Sequence, residues 1–238
     1  MQSLRGVSLP NSEVLDLLRT SFVVGWTNIQ KESHVGMSHG YRCDQTAVGT
    51  TNGAGGRNVQ LVVLSADGRV LHVLPGFWHP DDLVRELRFA RDLNRLWLDE
   101  HMDLAGKQHM AAAMRQAHVR SLPHATVARC SWQDFDESFE LDRYKKSPRD
   151  TVELDADGVP HVLPICRLVH ERMAARTFTK FDDFDMESFV DYGRPYYDNN
   201  SWFDRGRAFT AAERQNAQRE QALAKQEALI TGKGKRRG

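Results

Sequence analysis

Residues Asn58–Phe77 read NVQLVVLSADGRVLHVLPGF, and the fold is read outward from them. Two apolar runs, Val59–Leu64 and Val70–Leu74, flank Ser65-Ala66-Asp67-Gly68. Asp-Gly between β-branched runs marks a tight hairpin, because the turn demands a residue that tolerates positive φ. Trp78-His79-Pro80-Asp81-Asp82 then opens a helix. Proline suits the first turn, where its missing N–H costs nothing, and carboxylates favour the positive end of the helix dipole. Leu83, Leu87, Ala90 and Trp97 share one face at helical spacing, with Leu93 and Leu96 beside them. Arg85, Arg88, Arg91 and Arg95 fall toward the other side, and the helix is expected to reach about Asp103.

Upstream, Asn11-Ser12 caps a short helix with Val14, Leu15, Leu17 and Leu18 as its stripe. Ser21–Ile29 is expected to be a strand, its Phe22-Val23-Val24 run suiting a buried central position closed by Gly25-Trp26. Gln30–Arg57 is irregular and rich in Gly and His; a loop of that length is functional, mobile or hides an element, with Tyr41–Val48 as the place for one. Downstream, the pattern predicts a helix over Lys107–His118 ended by Pro123, a strand over Thr126–Trp132 and an irregular acidic stretch over Gln133–Asp150. A second hairpin is expected over Thr151–Leu163 around Asp155-Ala156-Asp157-Gly158. Pro164–Arg176 reads as a helix with Ile165, Leu168, Val169 and Met173 inward, and Asp185–Tyr192 as a short helix stopped by Gly193. Tyr192–Phe209 is too aromatic for a free linker and should pack on the domain surface. Thr210 to Glu213 is a capping box opening a helix to about Ile230 that is too polar for a core, followed by a basic Gly/Lys/Arg tail. Leu64 to Pro75 echoes Leu154 to Pro164, as a duplicated hairpin or as two independent hairpins with similar turn chemistry; the second is favoured, since nothing flanking the copies matches.

With 40% apolar and 27% charged residues the chain is globular rather than disordered. Its formal net charge of zero gives no bulk argument for nucleic acid or membrane. The charge is uneven. Residues 133–157 hold nine acids and four bases, 182–204 seven acids and one base, and 205–238 nine bases and three acids. The acidic middle and basic end are solvated surface or a tail that docks on an acidic face. Three cysteines far apart, Cys43, Cys130 and Cys166, indicate no disulfide framework and a reducing compartment. The N-terminus as it stands lacks a signal peptide's apolar core, and no run is long enough for a membrane span. Cytoplasm is the expectation, with periplasm open if a leader has been removed.

The succession of helix, Phe22–Trp26 strand, irregular segment, Val59–Phe77 hairpin and Pro80 helix resembles the thioredoxin-like superfamily over residues 12–98. The likeness is closest at the end: an apolar strand, ADGRV, a second strand, PGF, then a Leu-rich helix. Trp26 resembles the tryptophan that follows the family's central strand. The resemblance implies an α/β fold, a thioredoxin-like core with a central mixed sheet flanked by helices, over 1–118. A mixed C-terminal extension over 119–209 would pack on that core, and 210–238 would form an exposed polar helix and tail. The chain departs from the family at its chemistry. Thr27-Asn28-Ile29-Gln30 stands where the dithiol is expected, and no proline occurs between Pro10 and Pro75 to supply the family's cis-proline. Dithiol exchange needs a thiolate and a resolving thiol, so it is not expected here.

Two functions of different class remain. The first is a non-catalytic binding module or subunit, engaging a protein partner or a second copy through the 210–230 helix and basic tail. The second is a monothiol redox protein acting through Cys43, with Trp26, Arg42 and Asp44 around it; Arg42 favours a thiolate and Asp44 opposes it. His34, His39 and Cys43 carry metal-ligating atoms at a spacing that matches no standard site, so solvated loop histidines are expected, and no metal or cofactor. Cys166 and His170 sit one helical turn apart and read as a core cysteine and a surface histidine. Gly53-Ala54-Gly55-Gly56 precedes a strand rather than a helix and so does not read as a phosphate loop. The basic tail lacks the interleaved aromatics that stack on bases.

Overall fold

The computed structural model describes residues 4–29, 32, 59–132 and 134–193. The chain is mixed α/β. A π-helical turn, Leu4–Ser8, leads into α1 (Ser12–Ser21), capped by Asn11, whose Oδ1 accepts from the Glu13 and Val14 amides. The hairpin pairs β1 (Gln60–Leu64) with β2 (Val70–Pro75), antiparallel, from Gln60 opposite Pro75 to Leu64 opposite Val70, with a slip at Val63/Leu64. Gly68 takes φ +80°, the conformation the Asp-Gly turn requires. Helix α2 (Pro80–Trp97) follows, with Pro80 in its first turn and His79 capping. It stops at Trp97, short of Asp103, and α3 (Leu104–Arg120) begins under an Asp103 cap. Next come α4 (His124–Arg129), α5 (Asp134–Lys146), the hairpin β3 (Val152–Leu154) with β4 (Pro160–Val162), α6 (Ile165–Ala174) and α7 (Met186–Phe189).

Every residue of β2 is buried, because α2 and α6 cover it and the segment after α6 runs along its start. That segment is tied down by Phe178 N–H to Val70 O at 2.9 Å and Val70 N–H to Thr179 O at 2.8 Å. Trp78 is wholly buried, its indole N–H donating to Pro75 O at 2.9 Å, and Ser8 Oγ bonds the Trp78 carbonyl from the other end of the chain. Leu83, Leu87, Ala90 and Leu93 of α2 enter the same core as Ile165, Leu168, Val169 and Met173 of α6. Burying a Leu or Ile side chain contributes roughly 1.5–3 kcal/mol, so these two faces dominate the packing energy.

Four expectations are corrected. Phe22–Trp26 forms no strand: the backbone is extended from Phe22, but it has no ladder partner among the described residues, and Val23 and Trp26 are 104% and 91% exposed. The described residues hold two two-stranded antiparallel sheets and no central mixed sheet, so the thioredoxin-like core is not confirmed. Residues 124–129 are helical despite Thr126 and Val127. Thr126 Oγ1 and the Arg129 guanidinium, three positions apart on one helical face, both reach the Asp82 carboxylate at 2.7 Å, and that tertiary anchor overrides β-propensity. Within Gln133–Asp150, α5 replaces the irregular stretch; Arg143, Lys145 and Lys146 in its last turn suit the negative end of the dipole.

A buried glutamate–histidine–arginine centre

The wholly buried carboxylate of Glu86 lies on the inner face of α2, three residues after Leu83 and four before Ala90. Four elements meet there. His72 of β2 and His170 of α6 donate Nε2–H to Glu86 Oε2 at 2.9 and 3.0 Å. His118, from the last turn of α3, meets Oε1 through Nε2 at 3.0 Å. Arg115, one turn earlier on α3, is buried behind the rings. Its Nη2 donates to Leu71 O at 2.6 Å, its Nε to Thr177 Oγ1 at 3.0 Å, and its Nη1 faces Nδ1 of His72 at 3.3 Å and of His170 at 3.5 Å. Phe89 closes the apolar side, with its ring centroid 4.4 Å from His118 and 5.1 Å from His170.

The proton positions follow from the donors. A guanidinium only donates, so Nδ1 of His72 and His170 accepts and each ring carries its proton on Nε2, aimed at Glu86. Burial pushes His72 down to about 3, and it pushes His170 below the usual imidazole range while Glu86 opposes. Both rings are therefore neutral at pH 7. Burial works against ionising Glu86, yet the His170 ring and the N–H donors of His118, His170 and His72 outweigh it and hold the carboxyl well below its ordinary value. At neutral pH the hydrogen bonds carry that effect, since His170 is uncharged. Burial lowers Arg115 to about 9, against the pull of Glu86, so it stays cationic. One negative and one positive charge are thus separated by neutral imidazoles.

Nε2 of His72, Nε2 of His170 and a Glu86 oxygen also suit a metal ion. Ligand atoms of His72, Glu86 and His170 all lie within 4.8 Å of one another. Two donors held about 2.1 Å from one tetrahedral ion are about 3.4 Å apart; the separations from the carboxylate are 2.9 and 3.0 Å, so the rings draw back by a few tenths of an ångström to admit zinc.

None of these residues was expected as a site. His170 is buried rather than at the surface, whereas Cys166 is in the core as read. Trp26 is exposed, distant in environment from any buried chemistry. His34, His39, Arg42, Cys43 and Asp44 lie outside the described residues, as do 210–238 and Gly53–Gly56. The available signal was a polar residue breaking an apolar stripe. His72 interrupts Val70–Leu74, Glu86 falls between Leu83 and Ala90, and His170 between Cys166 and Met173. Compared with known proteins, the chain matches no family model, no curated protein and no solved structure. No helix among the described residues is long and apolar enough to cross a membrane.

Proposed function

We propose that this protein is a non-catalytic, metal-stabilised module that holds a divalent first-row transition ion, zinc foremost, on Glu86, His72 and His170, with His118 as the fourth ligand. The observation that carries the reading is the meeting of His72, Glu86 and His170, from three separate elements, with buried ligand atoms all within 4.8 Å of one another, and His118 on the second carboxylate oxygen. Burying charges costs several kcal/mol per ion, and packed apolar side chains of similar volume would serve stability as well or better. Imidazole and carboxylate together suit zinc and its neighbours in the series. The donors are enclosed, which is the character of an ion that ties elements together rather than one that activates water.

Elemental analysis of purified protein, followed by melting of metal-stripped protein with added Zn²⁺, tests this. The expected result is a stoichiometric ion and a higher melting temperature, worth about 2.7 kcal/mol when free ion is at a hundredfold excess over Kd. Glu86→Gln and His170→Gln should lose both. Absence of bound ion, together with no rise on adding Zn²⁺, Co²⁺ or Fe²⁺, would sink the proposal.

One observation favours a second reading. The Arg115 contacts place both ring protons on Nε2, and an ion needs those lone pairs free. In that reading the centre is a metal-free lock in which Arg115 and Glu86 compensate each other through two neutral imidazoles, and the same titration decides. The monothiol alternative at Cys43 has its own test. Cys130 and Cys166 are buried, so rapid labelling of the native protein would report Cys43.

A further inference from the structure

A cleft of about 460 Å³ opens between α3 and α6 on the outer side of the buried centre, within the size range of small-molecule sites. The buried Arg115 and His170 line it, and small side chains leave the space: Ala112 of α3 and Ala174 of α6 are both in its lining, with Val119. The remaining walls carry Arg115, Arg120 and Arg167 with Gln116 and the acidic Glu171. Arg115 is compensated by Glu86 through the imidazoles. Arg167 is shared between Glu171 at 2.7 Å and Glu153 at 2.8 Å, so its charge is offset and Glu171 is turned toward it. Arg120, in the last turn of α3, is exposed at the cleft with no ion pair or hydrogen bond among the described residues. The cleft therefore combines an uncompensated cation at its rim with an apolar floor of Ala112, Val119 and Ala174.

We infer that this cleft binds a small organic carboxylate, its charged end on Arg120 beside Arg167 and its apolar body against Val119 and the two alanines. Carboxylate and phosphate both take a guanidinium in a bidentate fork, so the discrimination comes from the apolar side chains, which favour a hydrocarbon body over a fully hydrated ion. The site goes beyond the metal reading and does not depend on it, since its residues are not the proposed ligands apart from the edge of His170.

Calorimetric titration of the full chain with hexanoate and benzoate, against inorganic phosphate, tests the inference. Both carboxylates should bind and phosphate should bind more weakly. Arg120→Ala should weaken them about ten- to hundredfold, the range of a lost charge-assisted hydrogen bond. Ala112→Leu fills the floor from an otherwise tolerated position and should weaken hexanoate while the melting temperature reports that the fold is kept. The inference is overturned if neither carboxylate binds, if phosphate matches them, or if Arg120→Ala and the folded Ala112→Leu bind as the parent does. Metal content measured on the same samples keeps this outcome separate from that of the buried centre.

Discussion

Glu86 and Glu140 are both wholly buried carboxylates, but they are held by different chemistry. Glu140 on α5 is clamped by Arg143 at 2.9 Å, Arg149 at 3.3 Å, the Thr151 hydroxyl at 2.7 Å and the Gly193 amide at 3.1 Å. Two permanent cations face it directly, and they also hold Asp191, which fixes the segment after α7. Glu86 has no cation within bonding distance among the described residues; imidazoles surround it, and its counter-charge Arg115 stands behind them. Arginine cannot give up its proton or bind a metal, so the Glu140 arrangement has one state. Imidazole can do both, so the Glu86 arrangement admits exchange. The comparison separates a carboxylate held by permanent cations from one whose neighbours can change protonation.

The contrast breaks most sharply at the carboxylates themselves. Glu86→Ala strands two buried N–H donors, a partly buried one and an uncompensated Arg115, and should cost about 3–5 kcal/mol in urea unfolding. Glu140→Ala should cost less, about 1–3 kcal/mol, because Arg143 and Arg149 are partly exposed and keep Asp191. Equal losses would erase the distinction.

Acid sharpens it next. His72 and His170 are held neutral in the fold and protonate freely when unfolded, so the unfolded state binds more protons below the ordinary imidazole value of 6.5. Stability therefore rises with pH through this window and is lost as pH falls, by up to about 1.4 kcal/mol per pH unit for each histidine. Glu86, whose folded value is depressed, adds to the loss as pH drops through and below 4.5. Denaturation curves for the parent and for His170→Gln should differ in slope across this range; identical slopes would mean that the rings are not held neutral.

Arg115→Met tests the exchange more finely. An ion on Nε2 forces both ring protons to Nδ1, toward Arg115 Nη1, so the guanidinium opposes the ion by both charge and donor clash. Zn²⁺ affinity of the folded variant should rise about tenfold. A fall would mean that Arg115 supports the ion. The smallest effect is expected at Trp26, outside both centres: Trp26→Ser should change stability by less than about 0.5 kcal/mol, since the ring is 91% exposed.

Much of the local structure was legible. Asn11 caps α1, Pro80 starts α2, and Gly68 and Gly158 sit at positive φ where turns were read; Gly193 is also at positive φ, but α7 ends at Phe189, short of the Tyr192 that was expected. The echoed hairpins even share a turn. Gly68 N–H bonds Ser65 O, and Gly158 N–H bonds Asp155 O, both at 3.0 Å. These signals are short-range and set by backbone sterics. Phe22–Trp26 misled because an apolar β-branched run states a preference, while a strand also requires a neighbour that sequence does not supply. The buried centre was illegible for a related reason. Its residues stand in four elements with no shared motif, and each breaks its own apolar stripe only once. A single His or Glu on an inward face acquires meaning when the facing elements are known.

The spread of those contributors has a consequence for how the chain is made. Glu86 and His170 are 84 positions apart, and β2, α2 and α3 are complete long before α6 leaves the ribosome. Until then Glu86 and Arg115 stand in a half-built interior with His72, His118 and water as their partners. Docking of α6 brings the last imidazole and excludes that water, so a nascent chain interrupted before residue 170 should remain loosely packed and open to proteases. Closure of the interior thereby waits on the synthesis of α6.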